Sequence, residues 1–146
     1  MTATASIREI SDADVEPIKR LWHQAGVTRP WNDPDKDISF ARRGPHSTIL
    51  VAVLNERVVA TAMVGEDGHR GWAYYVAVEP ELQGQGLGRL IMQGAEDWLA
   101  RRGVWKLQVM IRQENTQVKT FYEELGYHDT HTITLQKALK PGGTSV

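Results

Sequence analysis

The 146-residue chain reads as one mixed α/β domain. Three observations carry that reading. Runs of β-branched and aromatic residues alternate at 48–54, 57–64, 72–78 and 105–111. Residues 87–99 hold Leu87, Leu90, Ile91, Ala95, Trp98 and Leu99 at helical spacing. A glycine turn, Gln83-Gly84-Gln85-Gly86-Leu87-Gly88-Arg89, joins the strand ending at Val78 to that helix. Strand, crossover helix and strand in this order predict a right-handed parallel pair inside the sheet.

The elements follow in order. Ile7-Arg8-Glu9-Ile10 reads as a short strand. Ser11 with Asp14 gives a capping-box start to a helix whose Val15, Ile18, Leu21 and Trp22 share one face, with Pro17 near its start. Gly26 and Arg29-Pro30-Trp31-Asn32-Asp33-Pro34 break that helix, and Asp33 is placed to cap a second one running from Pro34 to near Gly44. The runs 48–54 and 57–64, separated by Asn55-Glu56, predict a hairpin. After the turn 65–71 comes the central strand 72–78. Gly103 closes the long helix, and Trp105, Leu107, Val109 and Ile111 alternate as the next strand. Val118, Phe121, Tyr122 and Leu125 line a shorter helix ending at Gly126. The run to Ala138 is strand-rich around a turn at His128-Asp129-Thr130-His131, and residues 141–146 read as a loose tail.

Composition narrows the function. One domain of this length buries a sizeable core. A net charge of -1 and dispersed basic residues disfavour nucleic acid. Absence of cysteine excludes disulfides, a thiol nucleophile and thiolate metal sites. No run is long enough to span a bilayer, and Met1-Thr2-Ala3-Thr4-Ala5-Ser6 has no basic and apolar signal-peptide pattern, so the cytoplasm is the expected compartment. The five histidines form no H-E-x-x-H helix or comparable ligand set, so no metal is expected. Trp22, Trp72, Trp98 and Trp105 fall on apolar stripes and are expected in the core.

The glycine turn carries chemistry because glycine admits positive φ and close ligand approach, and the first amides of a helix are unpaired at its positive end. A phosphate or pyrophosphate suits such a cradle. A Walker-type loop requires Lys and Ser or Thr after its last glycine, and Arg89-Leu90 stand there. The dinucleotide pattern begun at Gly84 requires glycine at 89, which is arginine. The segment instead resembles the Q/R-x-x-G-x-G/A signature of the GNAT superfamily of acetyl-CoA-dependent N-acetyltransferases. Val76-Ala77-Val78-Glu79-Pro80 matches that family's strand-and-proline lead-in. Downstream, Asn115 followed by Phe121-Tyr122-Glu123-Glu124-Leu125-Gly126-Tyr127 resembles its N-x-x-x-x-x-[FL]-Y-x-x-x-G-[FY] segment.

The resemblance covers nearly the whole chain and implies a mixed, mostly antiparallel sheet of about seven strands, flanked by about four helices. It implies that the sheet splays between the strands at 72–78 and 105–111, exposing backbone groups to an extended amide-bearing ligand. Acetyl-CoA is the implied cosubstrate. Amides of Gln83, Gly84, Gln85, Gly86, Leu87, Gly88 and Arg89 would hold its pyrophosphate. Main chain of Val76, Ala77 and Val78 would hold pantetheine, with the Asn115 amide assisting. Tyr122 matches the family tyrosine that gives a proton or hydrogen bond to the departing sulfur. Its ordinary pKa of about 10 keeps it protonated at neutral pH.

The general base stays open. In the related branch that acetylates ribosomal-protein N-termini a glutamate precedes the asparagine motif, and Met110 stands at that position. Glu66, Asp67 and His69, with Tyr74 or Tyr75, are the alternatives near the central strand, and so is water alone. The 29–34 loop and Asp67-Gly68-His69-Arg70-Gly71 resemble a subgroup of small bacterial GNAT proteins. There Trp31 would wall the acceptor site and Asp33 would meet an ammonium; a helix cap beside a buried indole is the competing reading. The expected acceptor is a small-molecule amine or a protein or peptide amine, attacking directly in a ternary complex. The competing class is an acyl-CoA-binding sensor without turnover. A homodimer is a further expectation from the superfamily.

Overall fold

A computed structural model of the chain describes residues 4–140. The 141–146 tail lies outside the described residues. The chain divides into two compact units, one up to Val109 and one from Met110.

The first unit is a five-stranded sheet in the order β1-β2-β3-β4-β5, comprising β1 (Ser6–Glu9), β2 (Ser47–Leu54), β3 (Arg57–Glu66), β4 (Gly71–Val78) and β5 (Leu107–Val109). Its first three ladders are antiparallel and the β4–β5 ladder is parallel. Asn55 and Glu56 turn the β2–β3 hairpin with φ of 50° and 65°, the paired left-handed geometry that matches strand twist.

Alternation along β2 sorts the core into two layers. Leu50 and Ala52 face α3 (Leu87–Ala100), whose Leu87, Ile91, Ala95, Trp98 and Leu99 are buried there. Ile49 and Val51 face the opposite layer, formed by α1 (Val15–Gln24) and α2 (Pro34–Arg42) through Ile18, Leu21, Trp22, Ile38 and Ala41. Gly71 lets β4 begin directly beneath α3, since a Cβ there would overlap the Leu99 side chain.

Helix ends follow their local chemistry. A 3-10 turn at Asp12–Asp14 leads into α1. The Asp14 carboxylate accepts the Ser11 N–H at 2.8 Å and the Arg8 guanidinium at 2.6 and 3.0 Å. Pro17 sits in the first turn of α1, where an N–H has no intrahelical acceptor, so it is accommodated. At the end of α3 the Val104 N–H returns to the Leu99 carbonyl at 3.1 Å and Gly103 takes a φ of 78°, the Schellman closure.

The second unit contains α4 (Thr116–Glu124), capped by the Asn115 side chain and closed at Gly126 with a φ of 99°. The strand-rich reading of 128–138 is corrected, because none of those residues enters a ladder. Ile133, Leu135 and Leu139 are 82%, 87% and 90% exposed. Alternation records side chains compatible with a strand, but a strand also requires a paired backbone neighbour. The sheet therefore has five strands among the described residues, not about seven.

Trp105 is also corrected. It is 92% exposed because the Gly103 turn occupies the preceding backbone and pairing begins only after it, with the Gly71 N–H on the Lys106 carbonyl at 2.9 Å. Trp22 and Trp98 are buried as expected, and Trp72 is half-buried with its indole N–H 3.2 Å from Asp67 Oδ2.

Candidate functional site

Strand β4 leaves the sheet through the Glu79 N–H, which bonds the Val59 carbonyl at 2.8 Å, and a 3-10 turn at Pro80–Leu82 follows. Gly84 and Gly86 then take φ of 81° and 85°, left-handed backbone in which other residues are strained. A Cβ at either position would meet nothing within 4 Å, so the space over the turn is open. Gly86 is the N-cap of α3 and brings no side chain to the amides of Leu87, Gly88 and Arg89. The first turn of α3 also lacks an acidic residue, so its positive end is uncompensated. Buried Leu87 anchors the turn, while Gln83, Gly84, Gln85, Gly86 and Arg89 are exposed. An anion fits this cradle on geometry and charge together.

The neighbouring strand pairs with β5 over three residues only. Parallel pairing runs through Gly71–Leu107, Trp72–Gln108 and Ala73–Val109 and then stops. The β5-side edge of residues 74–78 has no strand partner among the described residues. Ala77 is buried toward α1 and α2, and Val76 and Val78 pack toward the α3 layer. Antiparallel pairing with β3 also breaks here: Met63 faces Tyr74 and Thr61 faces Ala77, so two residues of β4 oppose Ala62 alone. Tyr75 occupies this bulge with a φ of 50°.

Tyr75 is the most constrained residue of β4. Its ring stacks on Trp22 with centroids 3.8 Å apart, and its hydroxyl donates to Asp37 Oδ2 at 2.6 Å. Its carbonyl accepts from Thr61 Oγ1 at 2.9 Å, and that oxygen accepts the Trp22 indole N–H at 2.9 Å. Burial, then the Asp37 carboxylate, push the Tyr75 phenol well above its usual range. Tyr74 is 40% exposed, its phenol also raised by burial, with its ring 6.4 Å from that of Trp72.

The acceptor-side candidates separate. Asp33 accepts the Asp35 and Lys36 N–H groups at 3.0 and 3.4 Å, the helix-cap reading of this residue. Trp31 is 36% exposed on the same loop. His69 lies exposed in the turn between β3 and β4, where Asp67 Oδ1 accepts its backbone N–H at 2.9 Å and that of Arg70 at 2.8 Å. Those bonds, the Arg70 one foremost, hold the Asp67 carboxyl below the usual range. Glu66 lies 3.2 Å from His46 Nδ1. Asp37 was not singled out by motif. Its signal was helical phase, beside Ile38 and four residues before Ala41, which sets a carboxylate at the margin of a buried stripe.

In the second unit, Asn115 Oδ1 accepts the Val118 N–H at 3.3 Å, which leaves the side-chain NH₂ for other partners. Tyr122 is buried, edge-on to Tyr127 and Phe121 at 5.6 and 5.0 Å, and desolvation pushes its phenol up to about 12. Met110 is 52% exposed, with its Sδ 3.7 Å from Thr134 Oγ1. Among the described residues no group of three or more His, Asp or Glu could hold a metal ion, and no helix is long and apolar enough to cross a membrane.

Comparison with known proteins adds the family. The model of the acetyltransferase (GNAT) family matches residues 12–127. A solved structure of the aminoglycoside N-acetyltransferase AAC(6')-Iy in complex with CoA is similar with a TM-score of 0.82 at 14% identity, covering 96% of this chain and 98% of that one. The ribosomal-protein-S18-alanine N-acetyltransferase from Escherichia coli is similar with a TM-score of 0.73 at 25% identity, covering 84% of this chain and 76% of that one. Glucosamine-6-phosphate N-acetyltransferase from Arabidopsis thaliana gives a TM-score of 0.68 at 24% identity, covering 94% and 99%.

Proposed function

Since the chain belongs to the GNAT acetyltransferase family, we propose that it is an acetyl-CoA-dependent N-acetyltransferase built as a single catalytic domain. The observation that carries this reading is the open glycine turn at the start of α3, without a side-chain cap, which follows a stretch of β4 whose outer edge has no strand partner among the described residues. Amides from Gln83 to Arg89 hold the pyrophosphate there. Main chain of Val76, Ala77 and Val78 pairs with pantetheine, and the Asn115 NH₂ adds a donor.

Bound acetyl-CoA supplies the activated acyl thioester. A neutral primary amine attacks its carbonyl carbon, the new N–C bond forms, and the C–S bond breaks. A main-chain N–H near Val78 stabilises the oxyanion, because a preorganised donor in a dry cleft needs no reorganisation. Tyr122 gives a proton or hydrogen bond to the departing thiolate. The protein's burial of that phenol keeps it protonated across the neutral range. The proton released by the amine leaves by water or a side chain near β4, since Met110 cannot accept it.

The acceptor is a small-molecule amine or a protein amine. Similar solved structures include an aminoglycoside acetyltransferase and a ribosomal-protein alanine acetyltransferase, so both classes belong in the first panel. Titration with acetyl-CoA, followed by thiol release against aminoglycosides, amino sugars and peptides with free α-amines, tests the proposal. Binding with release is expected. Binding without release from any of them would favour a sensor, and absence of binding would overturn the reading.

A further inference from the structure

Tyr75 is a bulky residue in the left-handed region, at a bulge, in a stretch of β4 that has no strand on its outer side among the described residues. A non-glycine residue in that region is strained and persists only where its surroundings over-determine it. Here they do so from three directions. The Trp22 indole covers the ring face, Asp37 on α2 holds the hydroxyl, and buried Thr61 on β3 holds the carbonyl. Thr61 in turn is fixed by the Trp22 N–H, and both are fully buried.

Nothing in ordinary sheet packing requires this arrangement. A regular β4 would pair Ala62 with one residue and leave Tyr75 in extended backbone. The bulge instead leaves Tyr75 out of the β3–β4 register and bends the strand immediately before Val76. We infer that Trp22, Thr61 and Asp37 are positioning residues that lock Tyr75 at this bulge and thereby aim the Val76–Val78 main chain at the acyl thioester. The inference rests on the acetyl-CoA reading above and deepens it. It assigns to α1 and α2 a part in presenting the acyl group, beyond bordering an acceptor.

The test needs no knowledge of the acceptor. Acetyl-CoA and free CoA are titrated separately into the full-length wild type, Tyr75→Phe, Asp37→Ala and the double variant, each checked for folding by circular dichroism. Loss of one hydrogen bond to a charged group predicts about 5-fold or greater weakening of acetyl-CoA binding. Free CoA, lacking the acyl group, should change less than about 2-fold. The double variant should be no weaker than either single, because both remove one bond. Asp37→Asn retains an acceptor oxygen and should restore most of the acetyl-CoA affinity, which also serves if Asp37→Ala fails to fold. Unchanged acetyl-CoA affinity, equal loss for both ligands, or additive losses would overturn the lock. Wild type that binds neither ligand would instead remove the family reading beneath it.

Discussion

Tyr122 shows how a side chain's surroundings set its chemistry. Burial raises its phenol to about 12 while leaving it beside two other rings, so it holds its proton across the neutral range. Tyr122→Phe should lower acetyl transfer at least about 10-fold with little change in acetyl-CoA affinity, measured as kcat and as a titration Kd. Equal turnover would remove the acid role. The same burial predicts a stability signature. Because the folded pKa is raised, the neutral phenol's contribution is complete below about 10, the unfolded value, and is lost as pH rises through about 12. Denaturant midpoints of wild type should fall across that window, and those of Tyr122→Phe should fall less. Asp14 has the opposite sign. Its carboxyl is held low chiefly by the Arg8 guanidinium and is present as a stabilising charge above about pH 4. Asp14→Asn should cost about 1–3 kcal/mol at neutral pH, with the difference from wild type closing as pH falls through the folded value. At this scale Tyr122 was legible as part of the apolar face of a short helix, because its neighbours recur at helical spacing. Asp37 was not, since its partner Tyr75 lies 38 residues away and no local pattern joins them.

The β4–turn–α3 element was readable almost in full, because its strand, glycines and amphipathic helix are each local signals. Asn55-Glu56 and the Gly103 closure were equally local. What failed were strands whose formation depends on a distant neighbour: residues 128–138 alternate correctly yet enter no ladder, and Trp105 falls just before pairing begins. The Tyr75 bulge was hidden for the same reason, since it is a mismatch of register between two strands. Asp33 could be read either as cap or as ammonium partner, and its two amide bonds place it in the cap. Asp33→Ala should therefore destabilise α2 by about 1 kcal/mol, read from the denaturation midpoint. Loss of acceptor affinity without loss of stability would return Asp33 to the binding role. At Gly71 the packing is tight enough that Gly71→Val should cost several times what a surface substitution costs, about 2 kcal/mol or more, because Leu99 above it is buried.

At the scale of the whole molecule, the family match spans residues 12–127 and the cradle sits within it. A ligand that binds only the folded chain stabilises it by mass action, about 2.7 kcal/mol at 100 times its Kd. Saturating acetyl-CoA should therefore raise the melting temperature by several degrees in wild type. The most direct measurement is calorimetric titration of acetyl-CoA into wild type and into Gly86→Glu, with melting curves of both. The account predicts binding to wild type and its loss in a variant that still folds, since the glutamate would place bulk and negative charge at the N-cap of α3. Equal affinity in the folded variant would contradict the cradle, and absence of binding by wild type would contradict the function.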